Sequence, residues 1–175
     1  MKRIAVFVDV QNIYYTVKDS FNCHFNYREL WRKLGEDGEI CIANAYAIDR
    51  NDSQQQAFQK ALTAIGFEVK LKPYIQRSDG SAKGDWDVGI AIDIMDAALD
   101  PKNGIDLVVL LSGDGDFDLL LKRIVRSGKI ETRVYGAPEL TAKSLIDAAT
   151  QFYPINASLL LLRNPRGHRA RAGRF

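Results

Sequence analysis

Cysteine and histidine are scarce in this 175-residue chain, two of each, and that scarcity removes several chemistries at once. Cys23 and Cys41 stand 18 residues apart, with no histidine pair to complete a zinc site. A disulfide framework and a CxxC redox centre are excluded too, and two reduced structural cysteines are expected. Long apolar runs are also missing, and no stretch has the length needed to span a bilayer. The apolar run at residues 4–8 is cut by Asp9 before it reaches the length of a signal-peptide core. The reading is a soluble, cytoplasmic protein. No Gly-x-Ser-x-Gly is present, and no GxGxxG or P-loop follows a strand. Ser112 precedes a sharp turn, but no histidine is placed to activate it.

A large excess of one charge is absent as well, since the net charge is only +2. Its distribution is uneven. Residues 163–175 hold five arginines and no acid; setting these five aside from the 24 basic residues leaves 19 against 22 acids, about −3 for the body. A mildly acidic body is not the footprint of a strongly basic nucleic-acid clamp. It suits a domain whose site binds cations and whose tail meets phosphate.

What is present is an ordinary globular composition, 46% hydrophobic and 26% charged, enough for one domain with a sizeable core. Apolar runs alternate with amphipathic stretches. Strands are expected at residues 4–8, 39–48, 67–75 (limited by Pro73), 105–111 and 130–135, with a short last one at 152–155. Helices are expected at 13–18, 27–34, from the cap Asp52 or Ser53 to Ile65, and at 86–99, 117–126 and 139–149. The polar stretch 76–83 reads as a loop. Repeated strand–helix–strand units argue for an α/β fold, a parallel sheet covered on both faces. The division expected is one domain over residues 1–160 and a basic, disordered tail over 161–175.

The informative pattern is where acids fall. Asp9 directly follows the first strand, and Asp114 and Asp116 directly follow the strand at 105–111. Ligands of open α/β sheets bind outside such strand ends, where the strand order reverses. Asp85 and Asp87, at the start of the helix after the 76–83 loop, reach the same rim. Carboxylates within about 4–6 Å of one another repel, and a hard divalent cation removes the conflict. With His24 and His168 outside all three acidic segments, magnesium or manganese is favoured over zinc.

Three segments resemble the NYN domain, a PIN-like ribonuclease family, and especially its LabA-like branch. They are Phe7-Val8-Asp9-Val10-Gln11-Asn12; Lys83-Gly84 with Asp87-Val88-Gly89-Ile90-Ala91-Ile92-Asp93; and Leu111-Ser112-Gly113-Asp114-Gly115-Asp116-Phe117. The late run Arg133-Val134-Tyr135-Gly136 is similar too. The resemblance covers roughly residues 1 to 155. It implies a three-layer α/β/α fold with PIN-like strand order 3-2-1-4-5 and a metal-dependent ribonuclease site. Carried over by motif, Asp9, Asp87, Asp114 and Asp116 are the metal-site acids, with Mg²⁺ or Mn²⁺ as cofactor and RNA as partner. Asn12 orients the site or a phosphate. Lys83 either contacts phosphate or is an ordinary solvated loop lysine. In the family one residue more often separates Lys-Gly from its aspartate. Here Asp85 and Trp86 intervene, so Asp85 is either the helix cap or the ligand.

Plainer roles compete at several positions. Asp116 and Asn12 suit helix capping, and Asp118 lies one turn beyond Asp114. Asp93 is six residues after Asp87, about 240° around a helix, and a structural hydrogen bond fits it better. Trp86 and Tyr14 fit core packing better than base stacking. A non-catalytic RNA-binding module is the second reading. A phosphohydrolase of the haloacid-dehalogenase kind is the third, weakened because Gln11 stands where Asp-x-Asp requires an acid. Oligomeric state is open, a homodimer included.

Overall fold

The computed structural model describes residues 1–76, 78, 82–83 and 85–162. The elements, in chain order, are β1 (Lys2–Asp9), α1 (Val10–Phe21), β2 (His24–Phe25), α2 (Tyr27–Asp37), β3 (Gly38–Asp49), α3 (Ser53–Ile65), β4 (Glu68–Pro73), β5 (Ile75–Gln76), β6 (Ala82–Lys83), α4 (Asp87–Leu99), β7 (Leu107–Leu111), α5 (Asp118–Arg126), β8 (Glu131–Gly136), α6 (Lys143–Ala148), β9 (Gln151–Pro154) and β10 (Leu160–Leu161). Six of the strands form one sheet, β4-β3-β1-β7-β8-β9. Every neighbouring pair in it is parallel. The expected run of five is extended by β9, the short strand anticipated at 152–155.

β1 and β7 are central, and their side chains divide by parity. Ile4, Val6 and Val8 of β1, with Leu107, Val109 and Leu111 of β7, face one apolar cluster. Ala5 and Phe7, with Val108 and Leu110, face the other. A strand buried on both faces needs a continuous apolar run, which both sequences supply. Helices α1, α2 and α3 contribute Ile13, Leu30 and Leu62 to the first cluster. Helices α4, α5 and α6 contribute Ile90, Leu121 and Leu145 to the second. The layers are therefore helices, sheet, helices.

Caps mark several helix boundaries, as the side-chain chemistry dictates. The Asn26 carboxamide accepts from the Glu29 N–H at 3.1 Å and the Asp52 carboxylate from the Gln54 N–H at 2.8 Å. α3 stops at Gly66, whose φ of +136° suits only glycine. A Cβ there would also meet the Trp31 ring at 2.5 Å.

Two expectations about elements are corrected. The expected helix over 139–149 is broken. A 3₁₀ turn (Pro138–Leu140) comes first, Thr141 and Ala142 are extended, and only then does α6 begin. The Ala142 N–H donates to the Gly113 carbonyl at 3.0 Å, which pulls this segment onto the loop after β7. The polar stretch expected as a loop contains β5 and β6, paired antiparallel; residues 77, 79–81 and 84 lie outside the described residues. β2 and β10 also pair antiparallel. The disorder expected of the tail falls on residues 163–175, outside the described residues. No helix among the described residues is long and apolar enough to cross a membrane.

Candidate metal centre

After β1 the chain builds outward through β3 to β4, returns to the other side of β1 as β7, and builds outward through β8 to β9. The strand order thus reverses between β1 and β7. Asp9 ends β1, and the loop from Ser112 to Asp116 follows β7. Across the sheet's C-terminal rim, α4 opens at Asp87. Asp87, Asp114 and Asp116 each present a carboxylate oxygen, and these oxygens lie within 4.8 Å of one another. Oxygens sharing an octahedral ion with bonds of about 2.1 Å stand about 3–4 Å apart, so the observed spread is close to a coordinating set. The donors are all carboxylates and Asp116 is exposed, which fits a hard cation reached from solvent.

A hydrogen-bonded frame holds the loop. The Ser112 hydroxyl, fully buried, donates to Asp9 Oδ2 at 3.4 Å and accepts from the Asp114 N–H at 3.2 Å. Asn12 Oδ1 accepts from the Gly113 N–H at 2.9 Å. Asp114 Oδ1 accepts from the Asp116 N–H at 2.9 Å and so caps the 3₁₀ turn Gly115–Phe117. Gly113 allows the close approach of the segment after β8, because a Cβ there would sit 2.5 Å from the Leu140 carbonyl oxygen.

The charges conflict in the metal-free molecule. Burial first, then a hydrogen bond with Asp114 and the negative charges of Asp114, Asp9 and Asp85, push the Asp87 carboxyl up to about 7. Burial, with repulsion from Asp114 and Asp85, pushes Asp9 up to about 6 despite bonds from the Asn12 N–H and the Ser112 hydroxyl. Both carboxyls are thus held toward protonation, first by burial and then by neighbours of like charge. A divalent cation would relieve this, and these residues fit one.

The residues singled out from sequence, Lys83 apart, each have a definite place. Asp87, Asp114 and Asp116 converge. Asp9 is beside them but outside the 4.8 Å set. One of its oxygens accepts from the Asn12 N–H at 3.3 Å as the N-cap of α1, and the other is held by Ser112. Asp85 Oδ1 accepts from the Asp87 N–H at 3.3 Å, while Trp86 stands at the cap position of α4 without a side-chain capping bond. Asp118 Oδ1 accepts from the Leu119 N–H and plays a local part. Asp93 takes bonds from the Tyr46 hydroxyl at 2.7 Å and Lys70 Nζ at 2.8 Å, away from the cluster. Trp86 packs against the second apolar cluster, and its Nε1–H donates to the Ala47 carbonyl at 2.8 Å. Tyr14 stacks on His24 with ring centroids 5.8 Å apart. The Lys83 side chain lies outside the described residues. Sequence reasoning missed Ser112 as the link between Asp9 and Asp114; its only signal was a buried hydroxyl one residue before Gly113.

The model of the NYN domain matches residues 3–158. The chain is 26% identical over 162 residues to the low amplitude and bright protein LabA of Synechococcus elongatus, covering 88% of this chain and 84% of that one. A crystal structure of a protein of unknown function from Vibrio parahaemolyticus superposes with a TM-score of 0.83 at 48% identity, over 91% of this chain and 96% of that one. With the family pattern spanning nearly every described element, the chain belongs to the NYN domain family, in its LabA-like branch.

Proposed function

We propose that this protein is a divalent-metal-dependent ribonuclease that hydrolyses RNA phosphodiester bonds at the rim between β1 and β7. The observation that carries the reading is the trio of carboxylates, Asp87, Asp114 and Asp116, gathered within 4.8 Å from two distant segments at the point of strand reversal. Asp9 completes the metal-site acids, its charge coupled to Asp114 and Asp87. We take the sheet as a PIN-like 3-2-1-4-5 core and residues 1–160 as the catalytic domain ahead of a basic tail at 161–175.

Asp87, Asp114 and Asp116, with Asp9, would hold a magnesium or manganese ion, which would supply an activated water and offset charge on the phosphoryl oxygens. The chain's own residues do the rest. Ser112 keeps Asp9 and Asp114 in register. Asn12 has its carboxamide oxygen fixed by the Gly113 N–H, which leaves its Nδ2 to donate to a phosphoryl oxygen and orient the scissile group. Lys83, in β6 ahead of α4, is assigned a contact to phosphate.

The purified protein is expected to cleave RNA with Mn²⁺ or Mg²⁺ and to stop in EDTA. A screen of phosphate monoesters run alongside is expected to show no comparable hydrolysis. RNA that is bound but stays intact across metals and RNA types would replace this reading with a non-catalytic RNA-binding module.

A further inference from the structure

A cleft of about 310 Å³ opens beside the acidic rim, between α1 and the start of α3. One wall is a single face of α1, Gln11, Tyr14, Tyr15 and Lys18, at the spacing i, i+3, i+4, i+7. The opposite side carries Phe58 and Arg50, and the floor is the end of β3 at Ala47 and Ile48. Val10 of the lining directly follows Asp9, and Ala47 directly follows Tyr46, the β3 partner of Asp9, so the cleft opens on the same C-terminal rim of the sheet as the acids.

The chemistry of the walls points to a ligand with a ring and a negative charge. Tyr15 is 51% exposed, set edge-on to Tyr14 with centroids 5.3 Å apart. Lys18 Nζ sits 5.6 Å from the Tyr14 ring centroid, and the Arg50 guanidinium sits 5.0 Å from that of Tyr74. Neither cation has a carboxylate partner among the described residues. Asp52 is the acid among the lining residues, and its carboxylate caps α3. In a body with an acidic balance, two unpaired cations flanking exposed tyrosine form a local basic patch. The volume falls in the range of small-ligand sites, and aromatic faces with flanking cations are how unpaired bases are held.

We propose that this cleft seats a base of single-stranded RNA next to the nucleotide at the acidic rim, with Lys18 and Arg50 on the adjoining phosphates and Tyr15 against the base. This rests on the ribonuclease reading and adds the substrate class: unpaired RNA, since a base held in a duplex cannot enter.

The test measures anisotropy of a fluorescein-labelled single-stranded RNA with the full-length protein in EDTA, and cleavage of the same RNA with Mn²⁺. Lys18, Arg50 and Tyr15 are all exposed, so the variants are expected to keep the parent's melting temperature. The double variant K18A/R50A is expected to weaken single-strand binding roughly tenfold and to lower the slope of log affinity against log salt by about 1.4. Y15A is expected to weaken it roughly tenfold with the slope unchanged. K102A, at the far end of the sheet, serves as control. A duplex of the same sequence should bind these proteins alike. Unchanged affinity and slope, equal weakening for single strand and duplex, or no single-strand binding by the parent would each overturn the proposal. Loss of the cleft's effect with cleavage intact would sink this inference alone. Cleft-dependent binding without any cleavage would sink the ribonuclease reading and leave the cleft standing.

Discussion

Asp114→Asn is expected to lower Mn²⁺-dependent RNA cleavage by at least about a hundredfold, because loss even of an outer partner of a metal ligand costs about 10–100-fold. It is expected to do so without unfolding the protein. The Asp114 carboxylate caps the following turn through Oδ1 and meets Asp87 directly. Asparagine keeps the cap oxygen, and its Nδ2 can donate to the Asp87 carboxylate. It also removes a charge that raises both Asp9 and Asp87. The metal-free variant should therefore be at least as stable as the parent at pH 8. Cleavage kinetics and a thermal melt on the same preparation check the pair of statements. Lost activity with a collapsed melting temperature would mean that the loop after β7, not the metal centre, had failed.

The second large effect is a pH-dependent response to metal. Asp9 and Asp87 rise from an ordinary 3.8 to about 6 and about 7 in the folded, metal-free molecule. The folded state thus keeps protons that the unfolded chain has released, and stability falls as pH rises from about 4 to about 7. Asp93 works the other way. Bonds from Lys70 and Tyr46 outweigh its burial and hold it below the usual carboxylate range, so its contribution is complete above about pH 4 and does not move in this window. A divalent cation must displace the protons on the rim at low pH and finds bare carboxylates at high pH. Millimolar Mg²⁺ or Mn²⁺ is accordingly expected to raise the melting temperature more at pH 8 than at pH 5. Calcium-free differential scanning at the two pH values reads this, and a metal response equal at both would contradict the assigned charge conflict.

The sequence exposed the parts of this site that obey local rules. The run before Asp9 and the run before Ser112 are apolar on both faces, so both belong in the sheet interior, and the acids beyond them belong on its rim. The 240° separation of Asp93 from Asp87 correctly removed Asp93 from the centre, and Tyr46 and Lys70, which hold it, come from strands far away in the chain. What stayed hidden depends on tertiary geometry. That Asp9 turns one oxygen into the cap of α1 and the other toward Ser112 follows from the register of β1 beside β7, where Val8 pairs with Leu111. The break before α6 comes from one backbone bond between Ala142 and Gly113, invisible to helical periodicity. The pairs β2–β10 and β5–β6 are two residues long, too short for any alternating pattern to register. The cleft between α1 and α3 was legible only in halves. Gln11 was noticed for the acid it is not and Tyr14 as core packing, and they line one cleft with Arg50 only because β3 lies beside α1.

The central claim is that carboxylates from separate segments share one hard cation. Crystals grown with Mn²⁺ and measured at the manganese absorption edge test it directly. The account predicts an anomalous peak bounded by Asp87, Asp114 and Asp116, with Asp9 adjacent and the peak lost in Asp114→Asn. Manganese bound elsewhere on the molecule, with that rim bare at saturating concentration, would contradict it.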